Sequence, residues 1–169
     1  MCLKLNEIFK TREEARGLSK KPLIAGRAIK AYKLLLVSDY ELEFFSPHRG
    51  AQYKPGEEKR VKKFSFEFRD VCGIWRLAVN KGLHSYKTKE HVEVIISQSG
   101  NMNIYVIAEC TIPKGTPYFE NDNEYVSLKL NLPSLSFDFN KKKKILIPNN
   151  KWEFHFNDKG ISLEFELSI

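Results

Sequence analysis

The residues with the clearest chemical potential lie in the stretch GLHSYKT, at positions 82–88. His84, Ser85 and Tyr86 follow a glycine and a nearly continuous apolar run that predicts a buried strand. Polar side chains at strand ends are common in active sites, because the sheet fixes their geometry. A histidine in such a place can act as general acid, general base or orienting group near neutral pH.

A carboxylate partner for this histidine would come from Glu109, Glu120 or Glu124. The structural alternative is that Gly82 forms a turn and His84 bonds to a backbone carbonyl. Position in a fold is weak support for catalysis without a triad or a metal. The structural alternative is therefore favoured, and no catalytic residue is assigned.

The sequence lacks the motifs of several common chemistries. It has no GxxxxGK[ST], no GxGxxG and no GxSxG, so neither a phosphate loop nor a nucleophile elbow is indicated. The histidines form no HxH, HExxH or HxxxH pair, and the cysteines are scattered. We therefore expect no cofactor and no metal site. The four histidines are His48, His84, His91 and His155.

Clustered lysines are the second candidate feature. The stretch DFNKKKKILIP, at 138–148, places a lysine run between two short apolar segments. The run is either a solvated turn or strand edge or a contact for nucleic-acid phosphates. A second cluster follows the loop at 47–58, and Tyr53 and Tyr86 are candidates for stacking unpaired bases. The candidate contact residues are Lys59, Arg60, Lys62, Lys63, Lys141, Lys142, Lys143 and Lys144.

Composition indicates one globular domain over 1–169. The chain has 42% hydrophobic and 29% charged residues and a net charge of +7. Basic residues concentrate in 1–33 and 57–91, whereas 92–133 is acidic, a field that attracts polyanions or acidic partners. The few cysteines predict a reducing compartment, with Cys72 and Cys110 in the core. No apolar run is long enough to span a bilayer, so we expect no membrane contact and a cytoplasmic location.

The elements that position these residues are mostly strands. We predict an α+β fold dominated by antiparallel sheet, with one or two short helices and a C-terminal β-hairpin. Residues 1–28 form a basic, helical segment in which TREE, from Thr11, is a capping box. Residues 29–132 form the β-rich core. Residues 133–169 add C-terminal strands that carry the lysine run.

Period-2 alternation locates the individual strands. The long apolar run at 29–37 predicts an interior strand, and 71–79 a central one. The stretch 102–113 alternates clearly, as does 124–132. Residues 87–100 fit a helix capped by Thr88 but also fit a strand, and we favour the helix. Further paired strands are predicted at 135–139 with 145–148, and at 152–156 with 161–169.

Several stretches in this order resemble small accessory proteins of bacteriophages and prophages, especially those of Bacteroidota. The matching stretches are AYKLLLV (31–37), FFSPHRGAQYKPGE (44–57), GLHSYKT (82–88) and ECTIPKGTPYFENDNEYVS (109–127). The resemblance covers about 29–132 and excludes the lysine run. It implies a phage origin, and therefore a location in the cytoplasm of a bacterial host.

Small phage accessory proteins of this kind often bind host machinery in stoichiometric amounts. Inhibitors of CRISPR effectors and of other defence systems are a prominent subset. The resemblance therefore implies a non-enzymatic counter-defence protein. Its partner would be a host protein or ribonucleoprotein, with a CRISPR effector as the candidate, and the basic clusters would contact the protein or its guide RNA.

Two alternatives remain open. The glycine turn before His84 and the later EYV strand resemble small ADP-ribosyltransferase-like folds, which would give roles to His84, Tyr86 and Glu124. There the histidine holds the nicotinamide ribose and the glutamate polarises it. The other alternative is a sponge that sequesters a defence signalling nucleotide.

Overall fold

A computed structural model describes residues 3–9, 21–38, 42–48, 50–72, 74–99, 104–143 and 145–156. These residues form sixteen strands and one helix, and every strand pairing is antiparallel. The prediction of a mostly antiparallel fold with a short helix is confirmed. The second arm of the predicted C-terminal hairpin, at 161–169, lies outside the described residues, as does the capping box at Thr11.

The strands and the helix follow one another along the chain with short connections. The strands are β1 (Leu3–Phe9), β2 (Leu23–Ile24), β3 (Ile29–Val37), β4 (Phe44–Phe45), β5 (Gln52–Tyr53), β6 (Glu58–Arg60), β7 (Ser65–Val71), β8 (Ile74–Lys81), β9 (Leu83–Tyr86), β10 (Ile104–Ile112), β11 (Pro117–Glu120), β12 (Glu124–Ser127), β13 (Lys129–Asn131), β14 (Phe137–Asn140), β15 (Ile145–Pro148) and β16 (Trp152–Phe156). The helix α1 (Lys89–Gln98) lies between β9 and β10.

The strands form three sheets. The largest has the order β2-β11-β12-β9-β3-β10-β13-β6, with β16 also paired to β10 and β4 linking β3 to β5. A three-stranded sheet has the order β1-β8-β7, and β14 pairs with β15. The predicted interior strand at 29–37 is therefore central, because β3 has β9, β10 and β4 as neighbours.

Alternation along β3 and β10 builds two cores on opposite faces of the large sheet. The main core contains Ala31, Leu35, Val106, Ala108, Cys110, Ile112, Tyr53, Leu83, Leu130 and Trp152. The helix-side core contains Leu34, Tyr86, Tyr105 and Ile107, against which α1 packs Val92 and Ile96. A smaller cluster of Leu77, Val79, Phe119 and Val126 joins the three-stranded sheet to the large one.

Four predictions about the elements need correction. The stretch 124–132, predicted as one strand, is divided into β12, which pairs with β9 and β11, and β13, which pairs with β10 and β6. Residues 3–9, assigned to a helical segment, form β1, which pairs with β8. Residues 71–79 do not form one strand, because Cys72 has a φ of 55° in the turn between β7 and β8. The part from Ile74 onward forms β8, which is central in the three-stranded sheet as predicted. Cys72 is also exposed there, whereas Cys110 is buried as expected.

The helix prediction for 87–100 is confirmed over Lys89–Gln98. The Thr88 hydroxyl accepts a hydrogen bond from the backbone N–H of His91 at 3.3 Å. This is an N-cap, which satisfies one of the amides that the first helical turn leaves without a partner. The cap, together with the packing of Val92 and Ile96 in the helix-side core, favours the helix despite the β-branched residues of the stretch.

Candidate functional site

The turn before His84 depends on a glycine for steric reasons. A Cβ placed on Gly82 would lie 2.2 Å from Cγ1 of Val126, closer than any side chain tolerates. The close approach lets β8 pass directly into β9. His84 and Tyr86 then alternate with Ser85, so the three polar residues of GLHSYKT do not share a face. Ser85 is buried and takes no part in the cavity that His84 and Tyr86 line.

His84 and Tyr86 line a cavity of about 200 Å³ that is mostly apolar. Its walls come from the strands β3, β5, β6 and β9, from the loop between β4 and β5, and from the β8–β9 turn. The lining residues are Lys33, Leu34, Ser46, Pro47, His48, Ala51, Tyr53, Lys59, Val61, Lys81, Gly82, Leu83, His84 and Tyr86. None of these residues is an aspartate or a glutamate, and three are lysines.

Lys33 is the most unusual residue of the cavity. It is only 4% exposed and lies on β3 between Ala31 and Leu35 of the main core. Its ammonium donates a hydrogen bond to the backbone carbonyl of His84 at 2.6 Å. It also lies 4.9 Å from the ring centroid of Tyr53, within the range of a cation–π contact. Burial lowers the pKa of Lys33 from 10.5 to about 8.

In the described part of the chain, the titratable groups around Lys33 bring no negative charge at neutral pH. Burial raises the pKa of the Cys110 thiol to about 12 and also raises the pKa of the Tyr53 hydroxyl. Burial, together with the charge of Lys33, lowers the pKa of His48. Among the described residues, Lys33 forms no ion pair with a carboxylate. A buried charge in this situation is energetically unfavourable unless an anion joins it.

Lys59, which the sequence assigned to a nucleic-acid cluster, is placed beside this cavity. Its ammonium donates to the carbonyl of Gln52 at 2.8 Å and lies 5.6 Å from the Tyr53 ring centroid. Lys33 and Lys59 therefore both lie near one aromatic ring. Sequence reasoning missed Lys33 because it focused on lysine runs. The available signal was a lysine at an inward position of an apolar strand.

The remaining basic candidates lie elsewhere. Arg60 pairs with Glu58, and Lys62 and Lys63 are exposed. Lys141–Lys143 are exposed in the turn of the β14–β15 hairpin and are absent from the cavity lining. The Asn140 side chain shapes this turn by accepting hydrogen bonds from the backbone amides of Lys142 and Lys143, at 3.1 and 3.2 Å. Lys144 lies outside the described residues.

The prediction that Tyr53 and Tyr86 stack unpaired bases is wrong, because both side chains are buried. Tyr53 is 4% exposed and Tyr86 is 5% exposed. Tyr53 belongs to the main core and Tyr86 to the helix-side core. Their rings contribute to the cavity wall, where they can contact only a ligand small enough to enter.

The three residues of the enzymatic alternative are only partly brought together. Tyr86 and Glu124 are cross-strand partners in the β9–β12 register, but Glu124 does not line the cavity with His84. The ring of His91 lies 5.6 Å from the ring of Tyr86. Burial raises the pKa of Glu124, and the charge of His91 partly offsets this effect. Glu124 therefore faces Tyr86 and His91.

A second grouping of titratable residues lies near the helix. Ligand atoms of Glu93, Glu153 and His155 lie within 4.8 Å of one another. Lys89 contacts Glu153 and lies 3.7 Å from Glu93. The lysine ammonium thus supplies positive charge between the two carboxylates, as in an ordinary surface ion-pair network.

Comparison with protein-family models finds no match, and neither the curated proteins nor the solved structures yield one. The resemblance to phage accessory proteins stays a prediction. Within the described part of the chain, no helix has the length and apolar character needed to cross a membrane.

Proposed function

We propose that this chain is a non-catalytic binding protein that takes a small phosphate-bearing ligand of the nucleotide class into the Lys33 cavity. The observation that carries the proposal is the buried ammonium of Lys33, which faces a cavity with no carboxylate among the described residues that line it. A protein that buries an unneutralised cation loses stability. An anionic ligand would remove this penalty, so the cavity favours anions over neutral or cationic molecules.

The other charges of the cavity support an anion of more than one negative charge. Lys59 and Lys81 line it together with Lys33. Lys81 is exposed and Lys59 is half-buried, so the positive charge extends from the interior toward solvent. A phosphate held among these ammonium groups would gain more Coulomb energy than in water, because the effective dielectric is lower near buried groups.

The uncharged part of the lining supports an aromatic or sugar-like remainder. Leu83, Tyr53 and Tyr86 offer apolar and ring surfaces, and the His84 side chain adds polar atoms. Small-molecule sites usually combine such surfaces with a few placed polar groups, in cavities of roughly 300–1,000 Å³. A cavity of about 200 Å³ is small on this scale, which favours a mononucleotide or a smaller phosphate.

The arrangement supports binding better than catalysis. In the ADP-ribosyltransferase-like alternative, His84 and Glu124 act on the same ribose. Glu124 is oriented toward Tyr86 and His91, and none of the described residues that line the cavity is an acid that could replace it. A phage protein that binds a signalling nucleotide without converting it would act as a sponge for that signal.

The test is a thermal-shift and calorimetric screen of the purified protein against nucleoside monophosphates, cyclic nucleotides and the matching nucleosides. A bound phosphate should raise the melting temperature by mass action, and nucleosides should not. Lys33→Met keeps the side-chain volume but removes the charge, and it should abolish the shift. Lys62→Met, at an exposed position outside the cavity, is the matched control and should bind normally. The proposal would be refuted if a phosphate ligand bound Lys33→Met as tightly as it binds the wild-type protein. It would also be refuted if no phosphate ligand bound the wild-type protein.

A second candidate function is inhibition of a host defence nuclease such as a CRISPR effector. It is supported by the exposure of Lys141–Lys143 at a hairpin turn, where they form no ion pair with any described residue. Their ammonium groups are available to the phosphates of a guide RNA. Reversal of these charges to glutamate should abolish recovery of a nuclease–guide complex from host lysate. Recovery unchanged by the reversal excludes the hairpin as the contact.

A further inference from the structure

A second concave surface lies apart from the Lys33 cavity, between residues 26–30 and the strands β11 and β12. It is an open groove of about 790 Å³. Tyr118 and Tyr125 line its wall with their rings 5.9 Å apart, in an edge-to-face arrangement. In the β11–β12 register Tyr118 faces Ser127 and Tyr125 faces Glu120, which places both rings on the same face of the sheet. Both tyrosines are half-buried, so part of each ring borders the groove.

Cations line and flank the groove. Arg27 and Lys30 line the groove and are exposed. Lys87 places its ammonium 5.1 Å from the ring centroid of Tyr125. Lys114 is exposed in a nearby turn, where the Gly115 amide donates a 2.7 Å hydrogen bond to the carbonyl of Ala25, the residue before Gly26 of the groove wall.

Two carboxylates neutralise part of this charge. Glu109 lies 3.5 Å from Lys30, whose side chain is nevertheless 62% exposed. Glu120 pairs with Lys87 at 2.6 Å. Arg27 forms no ion pair in the part of the chain that the structure describes. The groove and its rim therefore keep a positive excess, with Arg27 and Lys114 as the least compensated charges.

We propose that this groove, here called the tyrosine groove, binds a short single-stranded nucleic acid. Unpaired bases would pack against Tyr118 and Tyr125, while Arg27, Lys30 and Lys114 would hold the phosphates. Alternation of aromatic rings and cations is the arrangement by which proteins bind single strands without strict sequence preference. A duplex should bind much more weakly, because its bases are stacked on each other and cannot reach the rings, which leaves only its phosphates in contact with the cations.

The tyrosine groove does not depend on the function proposed for the Lys33 cavity. It shares no lining residue with that cavity. It also differs from the basic clusters at 59–63 and 141–144 that the sequence singled out. It instead gives a role to Tyr118 and Tyr125 of the stretch IPKGTPYFENDNEYVS.

The first experiment measures anisotropy of fluorescein-labelled ten-nucleotide oligouridine and oligothymidine, and of a duplex, at two salt concentrations. The proposal expects saturable, salt-sensitive binding of a single strand and much weaker duplex binding. Tighter binding of oligouridine than of oligothymidine would identify RNA as the ligand, and the reverse would identify DNA.

Variants of the groove test the residues. Tyr118→Leu should weaken binding about 10-fold, whereas Tyr118→Phe keeps the ring and should bind normally. Arg27→Glu should weaken binding, and Arg27→Lys should largely retain it.

Three controls make the result decisive. Lys33→Met should bind the oligonucleotide normally, which separates this proposal from the cavity. If Lys141–Lys143 charge reversal abolishes binding while the groove variants bind normally, the site is on the hairpin and the proposal is overturned. Photocrosslinking of the wild-type protein to 5-iodouridine oligonucleotides needs no variant. Crosslinks on the peptides containing Tyr118 or Tyr125 support the groove, and crosslinks confined to other peptides overturn it.

Discussion

The ammonium of Lys33 and the backbone carbonyl of His84 are joined by a 2.6 Å hydrogen bond across the neighbouring strands β3 and β9. This bond links two stretches that are 51 residues apart in the sequence. The bond uses one of the three N–H donors of the ammonium, but the uncharged carbonyl does not neutralise its positive charge. The uncompensated charge should lower the stability of the folded protein and should make the cavity favour anions.

Lys33→Met should make the protein more stable at pH 7, since it replaces a buried charge by an apolar side chain of similar size. The effect must depend on pH. Between pH 8 and 10.5 the unfolded chain keeps a proton that the folded Lys33 has released, so wild-type stability rises with pH there. A pKa lowered from 10.5 to about 8 corresponds to roughly 3 kcal/mol over this interval.

Urea denaturation of both proteins at pH 7 and pH 9.5 measures this difference. The methionine side chain of the variant cannot titrate, so the stability gap between variant and wild type should narrow at the higher pH. Comparison with the variant removes the contributions of other titrating groups. A gap that stays constant, or that widens with pH, contradicts a lowered pKa for Lys33.

Ligand affinity should fall as the pH rises through 8. A phosphate binds the charged amine, and the neutral amine offers no Coulomb attraction. With a pKa of about 8, roughly 10% of Lys33 remains charged at pH 9, so affinity should drop about 10-fold from its low-pH value. Calorimetry at pH 7 and pH 9 measures this drop. Lys33→Arg keeps its charge throughout, and an equal drop in that variant would assign the pH dependence to another group.

The sequence predicts those strands and helices that are determined by residues close together in the chain. Strand β10 alternates between the two cores along its whole length, and β3 is apolar enough to be recognised as central. The cap at Thr88 identified α1 because it is a contact between residues close in sequence. β1 was missed because its strand character comes from pairing with β8, more than sixty residues away.

The candidate site was predicted only in part for the same reason. The sequence pattern indicated His84 and Tyr86 as candidate site residues, and it indicated Lys59 as a nucleic-acid contact. Lys33 becomes unusual only when β3, β5 and β9 bring Tyr53 and the His84 carbonyl around it. Tyr53 and Tyr86 were taken for exposed rings because burial of a loop-adjacent tyrosine depends on tertiary packing.

Thr88→Ala should destabilise the protein by about 1 kcal/mol, because it removes the hydroxyl that caps α1. The helix contributes Val92 and Ile96 to the helix-side core, so fraying of its first turn should lower the free energy of unfolding of the whole protein. Chemical denaturation checks the value. Thr88→Ser retains a capping hydroxyl and should lose much less. A serine variant as unstable as the alanine variant would assign the loss to the methyl group instead.

Gly82→Ala should destabilise the protein by about 1–3 kcal/mol, because the new Cβ overlaps Cγ1 of Val126. Val126→Ala removes that Cγ1 and leaves a cavity of its own, since Val126 is fully buried. The double variant should therefore lose less stability than the sum of the two single variants. Gly26→Ala is the matched control, because its Cβ would meet no atom within 4 Å. Strictly additive losses in this double-mutant cycle, measured by urea denaturation, would show that the turn before His84 accommodates a side chain by another route.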